Sequence, residues 1–229
     1  MMRIDIISAV PKSLTSILNT SIIKRAKNKK LVRIKVHNLR DYALNKHKQI
    51  DDKPFGGGSG MILKPEPFFE CIDKLFTKRK YQHIIFTTPK GQLFNQQIAN
   101  KFSLAENIII IAGHYKGIDD RVREKFATDE ISIGNFVLTG GELPALIIVD
   151  SIVRLIPGVL GDAESLLDDS FMDGEVVEAP NFTRPAEYRG IKVPEVLLSG
   201  NDKQIKIWKE NKSKSLTEKW KKINSLEKK

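Results

Sequence analysis

Residues 108–112, four isoleucines and an alanine, limit what this chain can fold into more than any other stretch. An unbroken run of β-branched apolar side chains this short is a strand buried on both faces, and a sheet gains that burial when helices cover it on each side. The run leads directly into Gly113-His114-Tyr115-Lys116-Gly117. Ligands gather at the carboxyl ends of parallel strands, so this turn is a candidate site wall. The flanking sequence fits the same architecture. Residues 3–7 read as a first strand ended by the Pro11 turn. Leu14, Ile17, Leu18, Ile22 and Ile23 recur at helical spacing, predicting one helix that runs into the basic residues 24–30. Val32, Ile34 and Val36 alternate with charges, so strand–helix–strand predicts a parallel α/β unit.

Further along, residues 65–78 predict a helix with Phe68, Ile72, Leu75 and Phe76 facing inward. Residues 84–88 read as a strand ending at Pro89, and 94–102 as a helix. Asp119 and Asp120 cap a short basic helix carrying Arg121 and Arg123. Residues 131–161 contain a second candidate wall. Ile131 and Ile133 alternate into a turn at Gly134. Phe136-Val137-Leu138 then leads to Gly140-Gly141, and Glu142, Leu143 and Pro144 open a helix whose Leu146, Val149, Ile152 and Val153 share a face. Three glycines within eight residues make a backbone wall that a flat ligand can approach closely.

Between the second strand and the 65–78 helix, residues 37–63 show little periodicity and contain GGGSG, the composition of a long, lid-like loop. The Lys-Ser/Thr ending of a phosphate-binding loop is missing, which argues against a nucleoside triphosphate site. A formal net charge of +10 points to a polyanionic partner, nucleic acid before membrane. Ten lysines against four acids from residue 202 onward put +6 of that charge in the tail, interleaved with Trp208 and Trp220. That pattern predicts an RNA-contacting helical module. Cys71 is the only cysteine, so no internal disulfide forms and a reducing, cytoplasmic setting is expected. The longest apolar helix is interrupted by Asp150 and Arg154, so no membrane span is expected.

Glycine turns mark where a ligand can lie, not which ligand. The strings IGNFVLTGGELPA and DSIVRLIPGVLG, with Arg40, Asp41, His47, Asp51, Asp52, Pro54, residues 56–58, Gly60 and Met61 in the long loop, resemble the bacterial tRNA (guanine-N1)-methyltransferases of the SPOUT class. The resemblance extends to Gly113, Tyr115, Gly117, Ile118, Asp119 and Arg121. It fails at His114 and Lys116, where the family usually has arginine and glutamate.

The resemblance implies a fold, a donor, a substrate and a set of site residues. The fold would be a SPOUT-type parallel sheet with a deep trefoil knot over residues 1–161, then a linker (162–178) and a small, basic, all-helical tRNA-binding domain (179–229). S-adenosyl-L-methionine would be held by Pro89, Gly113, Tyr115, Ser132, Ile133, Gly134, Asn135, Phe136, Val137, Leu138, Gly140, Gly141 and Pro144. Guanosine 37 of tRNA, methylated at N1, would meet His47, Asp51, Gly58, Ser165, Ser170, Ser199 and Asn201. Asp169, in LLDDSF, would be the base and Arg154 its electropositive partner, with each site shared between the chains of a homodimer. Magnesium dependence goes with the acidic residue that the family has where Lys116 stands. Lysine supplies a cation there instead, and no residue is assigned as a metal ligand. Two rival readings are a ribose 2′-O-methyltransferase of the same class, which should lack the GGGSG lid and DSF motif, and a non-enzymatic RNA-binding relative.

Overall fold

The computed structural model describes residues 1–161 and 169–226, and divides the chain into two compact units, Met1–Gly161 and Asp162–Lys229. The first unit runs β1 (Met2–Ser8), α1 (Lys12–Leu18), α2 (Ser21–Asn28), β2 (Val32–Asn38), a 3-10 turn (Leu39–Tyr42), β3 (Asp51–Asp52), β4 (Ile62–Leu63), α3 (Pro65–Phe76), β5 (His83–Leu93), α4 (Gln96–Ser103), β6 (Asn107–Ala112), α5 (Asp120–Phe126), β7 (Asp129–Ser132) and α6 (Glu142–Val153). Five strands form one parallel sheet in the order β2-β1-β6-β5-β7.

The isoleucine run is its central strand. Successive side chains on a strand point to opposite faces, so Ile108 and Ile110 enter one core with Ile4, Ile6, Phe102 and the inner face of α6. Ile109 and Ile111 enter the other core with Ile7, Phe68, Ile72 and Val122. The expected α/β architecture, a parallel sheet covered on both faces, is what forms.

Three local expectations fail in the first unit. The single helix expected after β1 is two, α1 and α2. Asn19 Nδ2 donates to Thr15 O (2.8 Å) and Thr20 Oγ1 to Ile17 O (3.0 Å), and Ser21 takes a positive φ of 47°. Such side-chain bonds compete with helix continuation. β5 passes through Pro89 rather than stopping there, because its pairing with β7 shifts register between Thr87 and Gln92, and a missing N–H is tolerated at a bulge. Phe76, expected inside, is 43% exposed at the last turn of α3, while Phe68, Ile72 and Leu75 are buried.

The second unit is not all-helical as expected: a short antiparallel hairpin, β8 (Glu187–Tyr188) and β9 (Ile191–Lys192), turning at Arg189 and Gly190, both at positive φ, precedes α7 (Glu195–Leu198) and the 25-residue α8 (Asp202–Leu226). Residues 169–178 are pinned to α8. Ser213 Oγ donates to Val177 O (2.6 Å), Val177 N donates to Thr217 Oγ1 (2.9 Å), and Phe171 stacks on Trp220 with centroids 5.2 Å apart. None of the described residues of this unit is buried.

Candidate active site

The middle of β5, the carboxyl ends of β6 and β7 and the start of α6 line a cavity of about 230 Å³. Twelve of the thirteen residues expected to hold the methyl donor line it: Pro89, Gly113, Tyr115, Ser132, Ile133, Gly134, Phe136, Val137, Leu138, Gly140, Gly141 and Pro144. Asn135 does not. Thr87, Thr88, His114, Lys116, Gly117, Ile131 and Thr139 complete the lining.

The glycine wall is made by close backbone approach. Gly141 N donates to Gly113 O at 2.6 Å, and His114 and Gly140 form an antiparallel bridge. A Cβ on Gly141 would collide with Thr87 Oγ1 and lie 2.7 Å from Gly113 N and 2.9 Å from Ala112 Cα. One on Gly140 would collide with Glu142 Oε2 and lie 2.6 Å from His114 Nδ1. Gly134 has a φ of +149°, which only glycine adopts freely, and its N–H donates to Ser132 Oγ (3.2 Å). Thr87 Oγ1 donates to Ile111 O (3.0 Å), tying β5 to β6 at the cavity edge. A side chain at 141 would have to move backbone, and one at 140 would displace the Glu142 and His114 side chains.

Below this wall lies a buried polar group. Glu142, 6% exposed, accepts from Ser8 Oγ at 2.7 Å and faces His114 Nδ1 at 3.4 Å. In the sequence Glu142 is legible only as a first-turn carboxylate, and sequence reasoning misses Ser8. The signal for Ser8 is its place at the carboxyl end of β1, the edge where sites gather.

The long loop joins the site through Lys116. Its Nζ donates to Ser59 O (3.2 Å) and its N–H to Met61 O (3.1 Å), while Leu63 N donates to Gly117 O and Asp119 N to Leu63 O, both at 2.9 Å. A Cβ on Gly58 would lie 3.3 Å from Lys116 Nζ. The loop that reads as featureless in sequence is thus strapped to the turn after β6. His47 is exposed on it, and Asp51 pairs with Leu63 between β3 and β4.

Arg154 does not line the cavity. It follows the last turn of α6, ten residues beyond Pro144, or roughly 15 Å along the helix at 1.5 Å per residue. Asp169 and Ser170 begin the described part of the second unit, where Ser170 Oγ accepts from Glu178 N (3.0 Å). Ser199 Oγ accepts from Asn201 N (3.2 Å), and Asn201 Oδ1 accepts from Gln204 N (3.2 Å) at the start of α8. Ser165 lies outside the described residues, as does Asp168. Among the described residues, no three His, Cys, Asp or Glu side chains are grouped to hold a metal ion, and no helix is long and apolar enough to cross a membrane.

Known proteins resemble this chain along nearly its whole length. The sequence profile of the family described as tRNA (Guanine-1)-methyltransferase TrmD matches residues 2–227. A protein of Bacteroides thetaiotaomicron named tRNA (guanine-N(1)-)-methyltransferase is 53% identical over 218 residues, covering 95% of this chain and 96% of its own. Relatives with the same name from Chlorobaculum tepidum (51% over 216 residues, 94% of each chain) and Azobacteroides pseudotrichonymphae (55% over 207 residues, 90% and 93%) are similar to it along nearly their whole lengths. The chain belongs to the tRNA (guanine-1)-methyltransferase TrmD family.

Proposed function

We propose that this enzyme transfers the methyl group of S-adenosyl-L-methionine to N1 of guanosine 37 in tRNA, in the cytoplasm, as a homodimer. The observation that carries the reading is the coincidence of the glycine-walled cavity with the residues that the family resemblance assigns to the donor. The walls suit such a donor. Gly134, Gly140 and Gly141 offer backbone to a flat purine, and Thr87, Thr88 and Thr139 offer hydroxyls. When bound, S-adenosylmethionine supplies an electrophilic methyl group. The protein's task is to aim N1 along the carbon–sulfur axis, and a well-held geometry lowers such a barrier substantially.

Neutral guanine carries a proton on N1. As N1 would bond to the methyl carbon and the carbon–sulfur bond would break, leaving a neutral thioether, the Asp169 carboxylate would take the N1 proton. The Arg154 guanidinium steadies the charge growing on O6. Because Arg154 stands at the far end of α6 from the cavity of its own chain, the reading pairs the cavity of one chain with Arg154 and Asp169 of the other. The surface of α6 supports such pairing: Leu143 and Ile147 are about half exposed, and Val137 beside the cavity is 94% exposed. The trefoil knot belongs to the same reading. The lysine-rich α8 would lie against tRNA phosphates. Lys116 supplies a fixed cation near the cavity, so turnover is expected to persist without magnesium, though a monovalent ammonium does not match a divalent field.

The test is incubation of the purified protein with methyl-labelled S-adenosylmethionine and unmodified tRNA, followed by mapping of the modified base. Label at N1 of guanosine 37 supports the reading. Label on a ribose 2′-oxygen gives the activity to the rival chemistry, and tRNA binding without label makes the chain an RNA-binding relative. Removal of magnesium by chelation in the same assay checks Lys116, and complete, magnesium-reversible loss of turnover would exclude its substitution for the metal.

A further inference from the structure

The Ser8–Glu142–His114 group spans three elements: the end of β1, the first residue of α6 and the turn after β6. It lies outside the proton-transfer chemistry assigned above, yet His114 lines the cavity. Glu142 is buried, and an ionised carboxylate can only accept hydrogen bonds. Ser8 Oγ accepts from Val10 N (2.9 Å), which leaves its own proton for Glu142 Oε1 at 2.7 Å. The other oxygen, Oε2, faces His114 Nδ1 at 3.4 Å. A lone pair on Nδ1 would set two acceptors against each other under the Gly140 backbone, where the pair occupies the space a Cβ would need. The proton therefore belongs on Nδ1. Tyr115 meets the ring edge-on with centroids 5.0 Å apart, itself held at a φ of 58° that a tyrosine rarely adopts.

We propose that Glu142 is a positioning residue: its carboxylate, fixed by Ser8, holds His114 as the Nδ1–H tautomer and thereby makes Nε2 a hydrogen-bond acceptor in the cavity wall, for an N–H or O–H of the methyl donor. Which ring nitrogen carries the proton is set by the partner of the other. Here that partner is a glutamate reached across two strand ends. The proposal rests on the donor-binding reading above for its ligand, but not for the tautomer.

The experiment is nitrogen-15 NMR of the full-length protein at about pH 8, where imidazoles are mostly neutral, with His114 signals identified by their loss in His114→Asn. Donor affinity is measured on the same samples by calorimetry with S-adenosylmethionine. The wild-type spectrum is expected to show the proton on Nδ1. Glu142→Leu should move it toward Nε2 and weaken donor binding about 10- to 100-fold, the effect of turning an acceptor into a mismatched donor. Glu142→Gln, whose carbonyl can still accept from Nδ1, should keep the tautomer and recover most of the affinity. A wild-type protein with the proton on Nε2 overturns the proposal, whether or not the leucine variant folds. So does a folded Glu142→Leu that keeps both the tautomer and the affinity. If wild-type protein binds no S-adenosylmethionine at all, the functional reading fails while the spectrum still decides the tautomer.

Discussion

The two units of this chain are built on opposite principles. The first buries its central strand on both faces and holds even charged groups inside. Asp5 is fully buried, clamped by Arg3 through two bonds (2.6 and 2.7 Å), by His37 Nε2 (2.7 Å) and by Tyr81 Oη (2.8 Å). The second has no buried residue among those described, and its main element is a 25-residue helix studded with lysine. Burial of apolar area is the main favourable term in folding. The first unit is a scaffold with a cavity, whereas the second is an exposed hairpin and a lysine-rich helix.

That contrast makes graded predictions. The largest effect is on chemistry: Asp169→Asn, in the second unit, should lower single-turnover methylation about 10²- to 10⁴-fold while calorimetric donor affinity stays unchanged. A parallel loss of donor affinity would mean that the units do not divide the labour as described. In the first unit, Gly141→Val should reduce donor affinity at least about tenfold, because the new side chain meets Thr87, Gly113 and Ala112 and strains a packed wall. Undiminished binding would mean that the donor does not sit in this cavity.

Stability separates the units next. Asp5→Ala should cost the first unit about 3–5 kcal/mol in urea unfolding, since it strands Arg3 and His37 without their partner. Trp220→Ala, which removes the stack on Phe171, should change that same transition by less than about 0.5 kcal/mol. Equal losses would show a shared core. The smallest effect is in pH. Burial alone would push Asp5 up, but hydrogen bonds from His37, Arg3 and Tyr81 hold it far below the ordinary carboxylate range. A depressed folded value gives stability that is present above the unfolded value of about 3.9 and lost as pH falls toward the folded one. Urea midpoints should therefore decline below about pH 4, and less steeply in Asp5→Asn.

The scaffold is largely legible in the sequence because its signals are local. Four consecutive isoleucines can hardly be anything but a doubly buried strand, and the glycines of residues 134–141 mark the wall. What escapes the sequence depends on distant residues. Glu142 meets Ser8 across 134 positions, and Lys116 meets Ser59 across 57. Gly91 stands in no recognisable motif, yet a Cβ there would lie 2.5 Å from the Glu130 backbone, which makes it a requirement of the β5–β7 pairing. Pro89 misleads because a bulge, invisible in composition, lets β5 continue past it. Arg154 and Asp169 are suggested by motif context alone, since nothing in their spacing points to the cavity.

The central claim is that cavity and catalytic side chains come from different chains of one dimer, and complementation tests it directly. Gly141→Val and Asp169→Asn proteins, each impaired alone, are co-expressed with different tags, and the mixed dimer is purified and assayed for tRNA methylation at a donor concentration that leaves the Gly141→Val parent little activity. In a shared site, one of the two centres in the mixed dimer combines both defects and the other combines none, so about half of the wild-type activity per dimer should return. If every centre is built within a single chain, each centre in the mixed dimer still carries one defect. A purified mixed dimer with no more activity than its parents would contradict the shared site.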